Sequence, residues 1–471
     1  MSKTRYLAGL CLAGGLALSP AGRADLYSAQ QAYNKQDYVQ AFAQYRELAE
    51  MGQPLAQENL AVMYVSGEGV KRDNVLGYAW ALIAHENGGS DAMQSIISQL
   101  EPHLVESMLQ RVAAVQAQFG KAALQQRLYP EILEPGQAPT TPPDPNGCTF
   151  LKPANPDDYY PRAAIQQGLS GNVEVQYTVM PDGRARNPRV TFAMPLLAFD
   201  APAPNVILKS TFKPRTQNGV AVPCSMVVRV KFVSRAGIAN ENSPDLRKLA
   251  DNARPKAVAG DPSSQLAYGM MLEAMASTDP AAERPATWYL KAAQAGIPSA
   301  QYLIGSPMLR ATGPNSADKV KKGLFWITKA ADAGQADAQV DLANYLLSQP
   351  GDPANRARAY DLLEKAAKSE SREGKYRLAA LLASDADETR RDPKRALGLL
   401  EQVMIDKELD PTAFEIRAAA NATSGDFDAA RNDQGRAIRM AAKLGWDLAP
   451  QKARLAKYES SAAWTGDLLA L

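Results

Sequence analysis

A block of residues that returns at a fixed step constrains this chain more than any other feature. Trp288, Lys291, Ala292, Ala293, Ala295 and Gly296 come back 38 positions later as Trp326, Lys329, Ala330, Ala331, Ala333 and Gly334. Lys365, Ala366 and Ala367 follow 36 positions after Lys329, Ala330 and Ala331, and Leu399, Leu400 and Glu401 come 37 after Leu362, Leu363 and Glu364. A step of this length marks one helix hairpin that cannot bury its apolar face alone and must stack on its neighbours. An earlier run repeats as well: Ala41, Phe42, Ala49, Gly52 and Ala56 recur as Ala79, Trp80, Ala84, Gly88 and Ala92, with Gly52 and Gly88 a step of 36 apart. Small residues let paired helices approach, and the glycine ends a helix where a left-handed cap is needed. Residues 90–129 read as two further helices, with Pro102 in a first turn and Leu104, Met108, Val112 and Val115 on one face. A last hairpin, from Gly425 to Leu444 in the sequence, closes the second array. Trp80, Trp288 and Trp326 stand in register, which points to packing inside the stack.

Between the arrays the period changes from helical to alternating. Val173, Val175, Tyr177 and Val179 fall on one face of a strand over 171–179, Pro181, Asp182 and Gly183 supply a turn, and 184–192 is the returning strand. A short helix follows over 204–210, then a turn at Gln217, Asn218 and Gly219. The last strand, 225–233, has Val228, Val230 and Phe232 on its covered face. Five prolines within 134–145 make a stiff linker reaching at most about 37 Å at about 3.1 Å per residue. A polar stretch over 234–243 marks the other boundary. The expected division is 1–24 leader, 25–130 helical repeats, 131–147 linker, 148–233 sheet module, 234–245 linker and 246–471 helical repeats. The fold class is multidomain: two all-α solenoid arrays flanking a small α+β domain.

The repeats resemble the Sel-one-like branch of the tetratricopeptide-type helical repeats, most specifically through Gly67, Glu68, Gly69, Val70, Lys71, Arg72 and Asp73 in the loop between two helices. The module resembles the carboxy-terminal domain of TonB energy transducers. The resemblance runs in order through Tyr160 and Pro161, Gly168 and Gly171, Asp182 and Gly183, Phe212 and Pro214, Asn218 and Gly219, and Val230 to Phe232, over about 75 residues. It implies a domain whose last strand is an open sheet edge that captures an extended segment of an outer-membrane receptor. Carried onto this chain, that edge is Ser225, Met226, Val227, Val228, Arg229, Val230, Lys231, Phe232 and Val233. The plainer alternative makes Arg229 and Lys231 charges that keep a bare edge from aggregating.

The amino terminus has the pattern of a secretion signal: Lys3 and Arg5, an apolar run from Tyr6 to Leu18, and Gly22, Arg23 and Ala24 at a cleavage position. A retained leader would instead anchor the chain in the inner membrane, although its apolar run is shorter than the ~20 residues a spanning helix needs. Cleavage after Ala24 removes Lys3, Arg5 and Arg23 and no acid, taking the formal charge from +2 to −1. A near-neutral chain gives no reason to expect nucleic-acid binding. Export to an oxidising compartment leaves Cys148 and Cys224, expected to pair as a disulfide worth about 2–4 kcal/mol, with two separate buried thiols as the alternative.

Catalytic chemistry finds little to build on. His85 and His103 are the two histidines, both in the first helical region, and no phosphate loop or nucleophile elbow occurs. The expectation is therefore a periplasmic, non-enzymatic adaptor without metal or cofactor, binding protein partners such as outer-membrane TonB-dependent receptors or other envelope proteins. An energy transducer for outer-membrane transport and an envelope scaffold acting through its repeats alone are the alternatives.

Overall fold

The computed structural model of the chain describes residues 24–132, 147–195, 198–233, 244–275, 283–311, 316–349, 351–404 and 410–469. All of the expected leader but Ala24, most of the proline-rich linker and the polar stretch over 234–243 lie outside the described residues. The chain divides into two compact units, one running to Tyr129 and taking in Gln294–Ile297, the other holding Pro130–Ala293 and Pro298–Leu471.

The first unit is helical: α1 (Leu26–Asn34), α2 (Tyr38–Glu50), α3 (Pro54–Ser66), α4 (Asn74–Glu86), α5 (Ala92–Leu100), α6 (Glu106–Phe119) and α7 (Lys121–Arg127). Aspartates open several of these helices, as at Asp73, whose carboxylate accepts from the Val75 and Leu76 amides at 3.0 Å. Residues 90–129 form three helices where two were expected, and of the four residues predicted on one face only Val112 is fully buried.

The second unit begins with the sheet module: β1 (Thr149–Lys152), α8 (Arg162–Gln166), β2 (Gly171–Val179), β3 (Ala185–Met194), α9 (Pro202–Lys209), β4 (Thr211–Lys213), β5 (Arg215–Gln217), β6 (Val220–Val222) and β7 (Cys224–Phe232). The central sheet has the order β3-β2-β7, all antiparallel, while β1 pairs with β4 and β5 with β6. Alternation in β2 aims Val173, Val175, Tyr177 and Val179 at one core, with Phe199, Val206 and Ile207 covering them from the α9 side. Each fully buried side chain of this kind contributes roughly 1.5–3 kcal/mol. The strands predicted over 171–179, 184–192 and 225–233 and the helix over 204–210 are present within two residues. The short strands β1, β4, β5 and β6 were not anticipated, because three or four residues are too few to show a period.

The rest of this unit is a stack of hairpins: α10 (Pro244–Val258) with α11 (Pro262–Met275), α12 (Pro285–Gln294) with α13 (Pro298–Leu309), α14 (Ser316–Asp332) with α15 (Ala336–Ser348), α16 (Pro353–Lys368) with α17 (Arg372–Ser384), α18 (Pro393–Val403) with α19 (Thr412–Thr423), and α20 (Phe427–Leu444) with α21 (Ala449–Glu459). One glutamine recurs on the second helix and ties it to the first. Gln265, Gln301 and Gln339 each donate from Nε2 to the carbonyl eight residues earlier, at 3.2 Å, in Ala257, Ala293 and Ala331. Gln57 does the same to Ala49 at 3.0 Å in the first unit. The repeat glycines Gly52, Gly88, Gly296 and Gly334 all have φ between 85° and 89°, the left-handed cap their spacing required. Trp80, Trp288 and Trp326 are buried, as their register predicted.

Candidate functional site

The module's motif residues build its core rather than its edge. The Tyr160 ring meets Phe199 and Phe232 edge-on at 5.4 and 5.7 Å, and Phe199 stacks on Phe232 at 4.7 Å. The Tyr160 hydroxyl donates to the Leu169 carbonyl. Pro161 precedes α8, Gly168 takes a left-handed φ of 62°, and Gly171 lies directly against the Phe199 ring. Asp182 accepts from the Arg184 amide at 3.0 Å, and the Gly183 carbonyl accepts from the Phe212 amide at 3.0 Å. Phe212 is buried between Phe150 and Tyr177, with ring centroids 4.8 and 5.1 Å away. Asn218 and Gly219, at φ 52° and 78°, close the β5–β6 hairpin, and Pro214 separates β4 from β5. Cys148 and Cys224 are joined by a disulfide, with Cα atoms 6.5 Å apart, so the entry to the module is tied to the first residue of β7.

β7 pairs with β2 at nine positions, from Gly171 opposite Phe232 to Val179 opposite Cys224. Among the described residues no strand pairs with its other side. Met226, Val228, Val230 and Phe232 face the module core. Ser225, Val227, Arg229 and Lys231 face the opposite way, and Val227 and Val233, the latter just beyond the strand, are both exposed apolar residues. Arg229 is not a free surface charge: its guanidinium donates to Glu273 in α11 and lies 3.9 Å from Glu174.

The polar face of the sheet carries the groups that sequence reasoning missed. Arg189 of β3 donates to Gln176 at 2.6 Å and to Asp341 of α15 at 2.5 Å, and Arg189 and Asp341 are 8% and 6% exposed. Asp341 also accepts from Ser306 at 2.7 Å and lies 3.6 Å from Arg310. Burial opposes ionisation of Asp341, but Arg189 and Arg310 outweigh it and hold the carboxyl below its ordinary range. Asn172 donates to the Ala274 carbonyl at 3.1 Å, and Arg186 lies 3.5 Å over the Trp446 ring. The alternation of Asn172, Glu174, Gln176 and Thr178 along β2 could have flagged this face as polar, but nothing in it says what the face meets. Among the described residues no group of three or more His, Cys, Asp or Glu side chains is placed to hold a metal ion, and no helix is long and apolar enough to cross a membrane.

A three-stranded antiparallel sheet with β3 and β7 at its edges, set against helical hairpins, defines a class of repeat protein that carries an embedded α+β domain. Residues 156–234 match the family described as Gram-negative bacterial TonB protein C-terminal, and residues 54–89, 286–297, 298–335, 336–371 and 372–402 match the Sel1 repeat. Both resemblances seen in the residues are thus found again, with Sel1 repeats on either side of the TonB-type domain. Sel1-repeat-containing protein YjcO of Escherichia coli (strain K12) is 36% identical over 126 residues, 27% of this chain and 52% of its own length. A protein of Shigella flexneri matches to the same extent. The chain spans about half the length of these curated relatives. Among solved structures, c5321, a protective antigen of uropathogenic Escherichia coli displaying an SLR fold, gives a TM-score of 0.34 at 18% identity, covering 93% of this chain and 72% of that one. A Sel1 repeat protein from Oxalobacter formigenes gives 0.29 at 20% identity, covering 44% and 86%. Both domain types belong to protein-interaction families, and the TonB-type domain to a Gram-negative envelope family.

Proposed function

We propose that this chain is an exported, periplasmic and non-enzymatic adaptor whose strand β7 captures an extended segment of a partner protein by β-augmentation, while the repeats serve as scaffold. The supporting observation is the nine-residue β7, which like β3 is an edge of the sheet among the described residues and carries the exposed Val227, and it is β7 that the TonB resemblance names as the capturing strand. Proteins ordinarily shorten, charge or cover such an edge; this one is long, and of its two charges Arg229 is engaged by Glu273. An incoming strand would supply the missing main-chain partners, and the side chains beside the edge would select it. The partner class is an envelope protein, with outer-membrane TonB-dependent receptors the first candidates. The domain division given above, with residues 1–24 as a cleaved leader, belongs to the same proposal.

Adjacent residues of an antiparallel strand point their amides to opposite sides. Of Val227→Pro and Val228→Pro, one therefore removes a donor to β2 and the other a donor on the open side. Pull-down of the full chain with peptides from the periplasmic end of such receptors should find that one of the two variants keeps the module folded yet loses capture. Retained capture by both folded variants would overturn the proposal.

A further inference from the structure

Four successive carboxy-terminal hairpins offer their second helix to the module, while the last offers the end of its first helix, where Leu208 packs with Ala441, Leu444 and Trp446. Asn172 reaches the Ala274 carbonyl in α11, and Gln176 accepts from Arg310, which follows α13, at 3.1 Å. Arg189 pairs with Asp341 in α15, and Asn187 and Pro188 line one small cavity with Glu373 and Arg377 of α17. These are the second helices of four successive hairpins. Asp341 and Arg377 stand two residues after Gln339 and Lys375, so two of these repeats present a charge where the two before them carry Ala267 and Leu303. A continuous face of this kind is what stacked repeats ordinarily use to bind a partner.

Here the face is taken by the chain's own sheet, and the contact is specific without being fully satisfied. Arg189 Nη1 and Arg310 Nε are buried and find no hydrogen-bond partner among the described protein groups. An ion pair of this kind adds little net stability, yet removing one partner leaves a buried lone charge, so it selects what may sit there. Asp341 has Arg310 and the Ser306 hydroxyl from its own array and takes its nearest cation, Arg189, from the sheet that covers it.

We propose that the second-helix face of the carboxy-terminal array is an autoinhibited binding surface, closed by β3 through the Arg189, Asp341 and Arg310 cluster. Its outside partner is an arginine-bearing protein segment that replaces Arg189 at Asp341. The proposal concerns a surface other than the β7 edge and stands apart from the strand-capture reading.

The test uses the full chain and a labelled synthetic peptide of residues 185–194 as the competing segment. Arg189→Gln opens the latch while leaving Asp341 in place. Amide exchange in β3 and in α15 should accelerate together, on the order of a hundred-fold or more. The variant should bind the peptide, the wild-type chain should not, and Asp341→Asn added to Arg189→Gln should abolish binding. Faster exchange in β3 with α15 unchanged, or no peptide binding by the opened variant, would overturn the proposal. If Arg189→Gln loses protection throughout the module and the array, Gln176→Ala with Arg310→Gln is measured under the same two criteria.

Discussion

Gly171 offers a sharp test of how the module's motif residues act. A methyl group built on its Cα would lie 2.5 and 2.6 Å from two carbons of the Phe199 ring and 2.7 Å from the Met194 carbonyl oxygen. Phe199 has no room to retreat: it is fully buried, stacked on Phe232 at 4.7 Å and met edge-on by Tyr160 at 5.4 Å. Overpacking of such a core costs about 1–3 kcal/mol. The restricted unfolded chain returns about 0.4–1 kcal/mol, so Gly171→Ala should destabilise the module by roughly 0.5–2 kcal/mol. Gly168→Ala should cost a similar amount, about 1–2 kcal/mol, for another reason, since its φ is +62° and nothing lies within 4 Å of the added methyl. Phe199→Leu separates the two causes. It should relieve Gly171→Ala, with a coupling of about 1 kcal/mol or more, and should be additive with Gly168→Ala. Because a multidomain chain has no single unfolding free energy, the assay is amide exchange of β2 across a urea series in the full chain. Additivity of Gly171→Ala with Phe199→Leu would refute the steric account.

Peptide mapping without reductant should recover Cys148 linked to Cys224, and replacing both by serine should lower the stability of the module by about 2–4 kcal/mol in the same exchange assay. Gln339→Ala removes one of two bonds to the Ala331 carbonyl, which keeps the Gly334 amide at 2.9 Å, and should cost about 0.5–1.5 kcal/mol, read as faster exchange in α14 and α15 with β2 unaffected. The Asp341 carboxyl is depressed in the folded chain, so its contribution is present above its unfolded value of about 4 and is lost only as pH falls through the lower folded value. Corrected for intrinsic rate, protection of β3 and α15 should therefore persist at about pH 4. Its loss on acidification from about pH 6 to pH 5 would contradict the assignment.

The helical stack was legible because its information is local and repeated. Trp288 and Trp326, the alanine pairs that follow them, and Gly296 and Gly334 announce a hairpin each time they recur, and each lands where the period put it. The module was legible for a related reason: β2 and β7 are nine residues long and alternate, so the face each residue takes follows from side-chain polarity. β1 and β4 escaped because their pairing, Phe150 opposite Phe212, joins residues far apart in sequence and too few to show a pattern. The sequence pattern did not single out Gln301 and Gln339, each of which is buried and bridges two helices.

From the order of residues alone came the repeats, the sheet module between them and the strand proposed as its open edge. The repeats and the alternating strands rest on periodicity, which a chain carries within any short window, while the choice of 225–233 as the open edge is what the resemblance to the TonB-type domain implies. Only the tertiary structure decided that Arg189 meets Asp341 across 152 positions, that Arg229 is held by Glu273, and that the polar face of the sheet is covered by helices. Whether a charge meets water or an opposite charge depends on which distant element packs above it, and no local pattern encodes that. The edge expected to meet a partner was thus read from sequence, while the face that the chain keeps for itself was not.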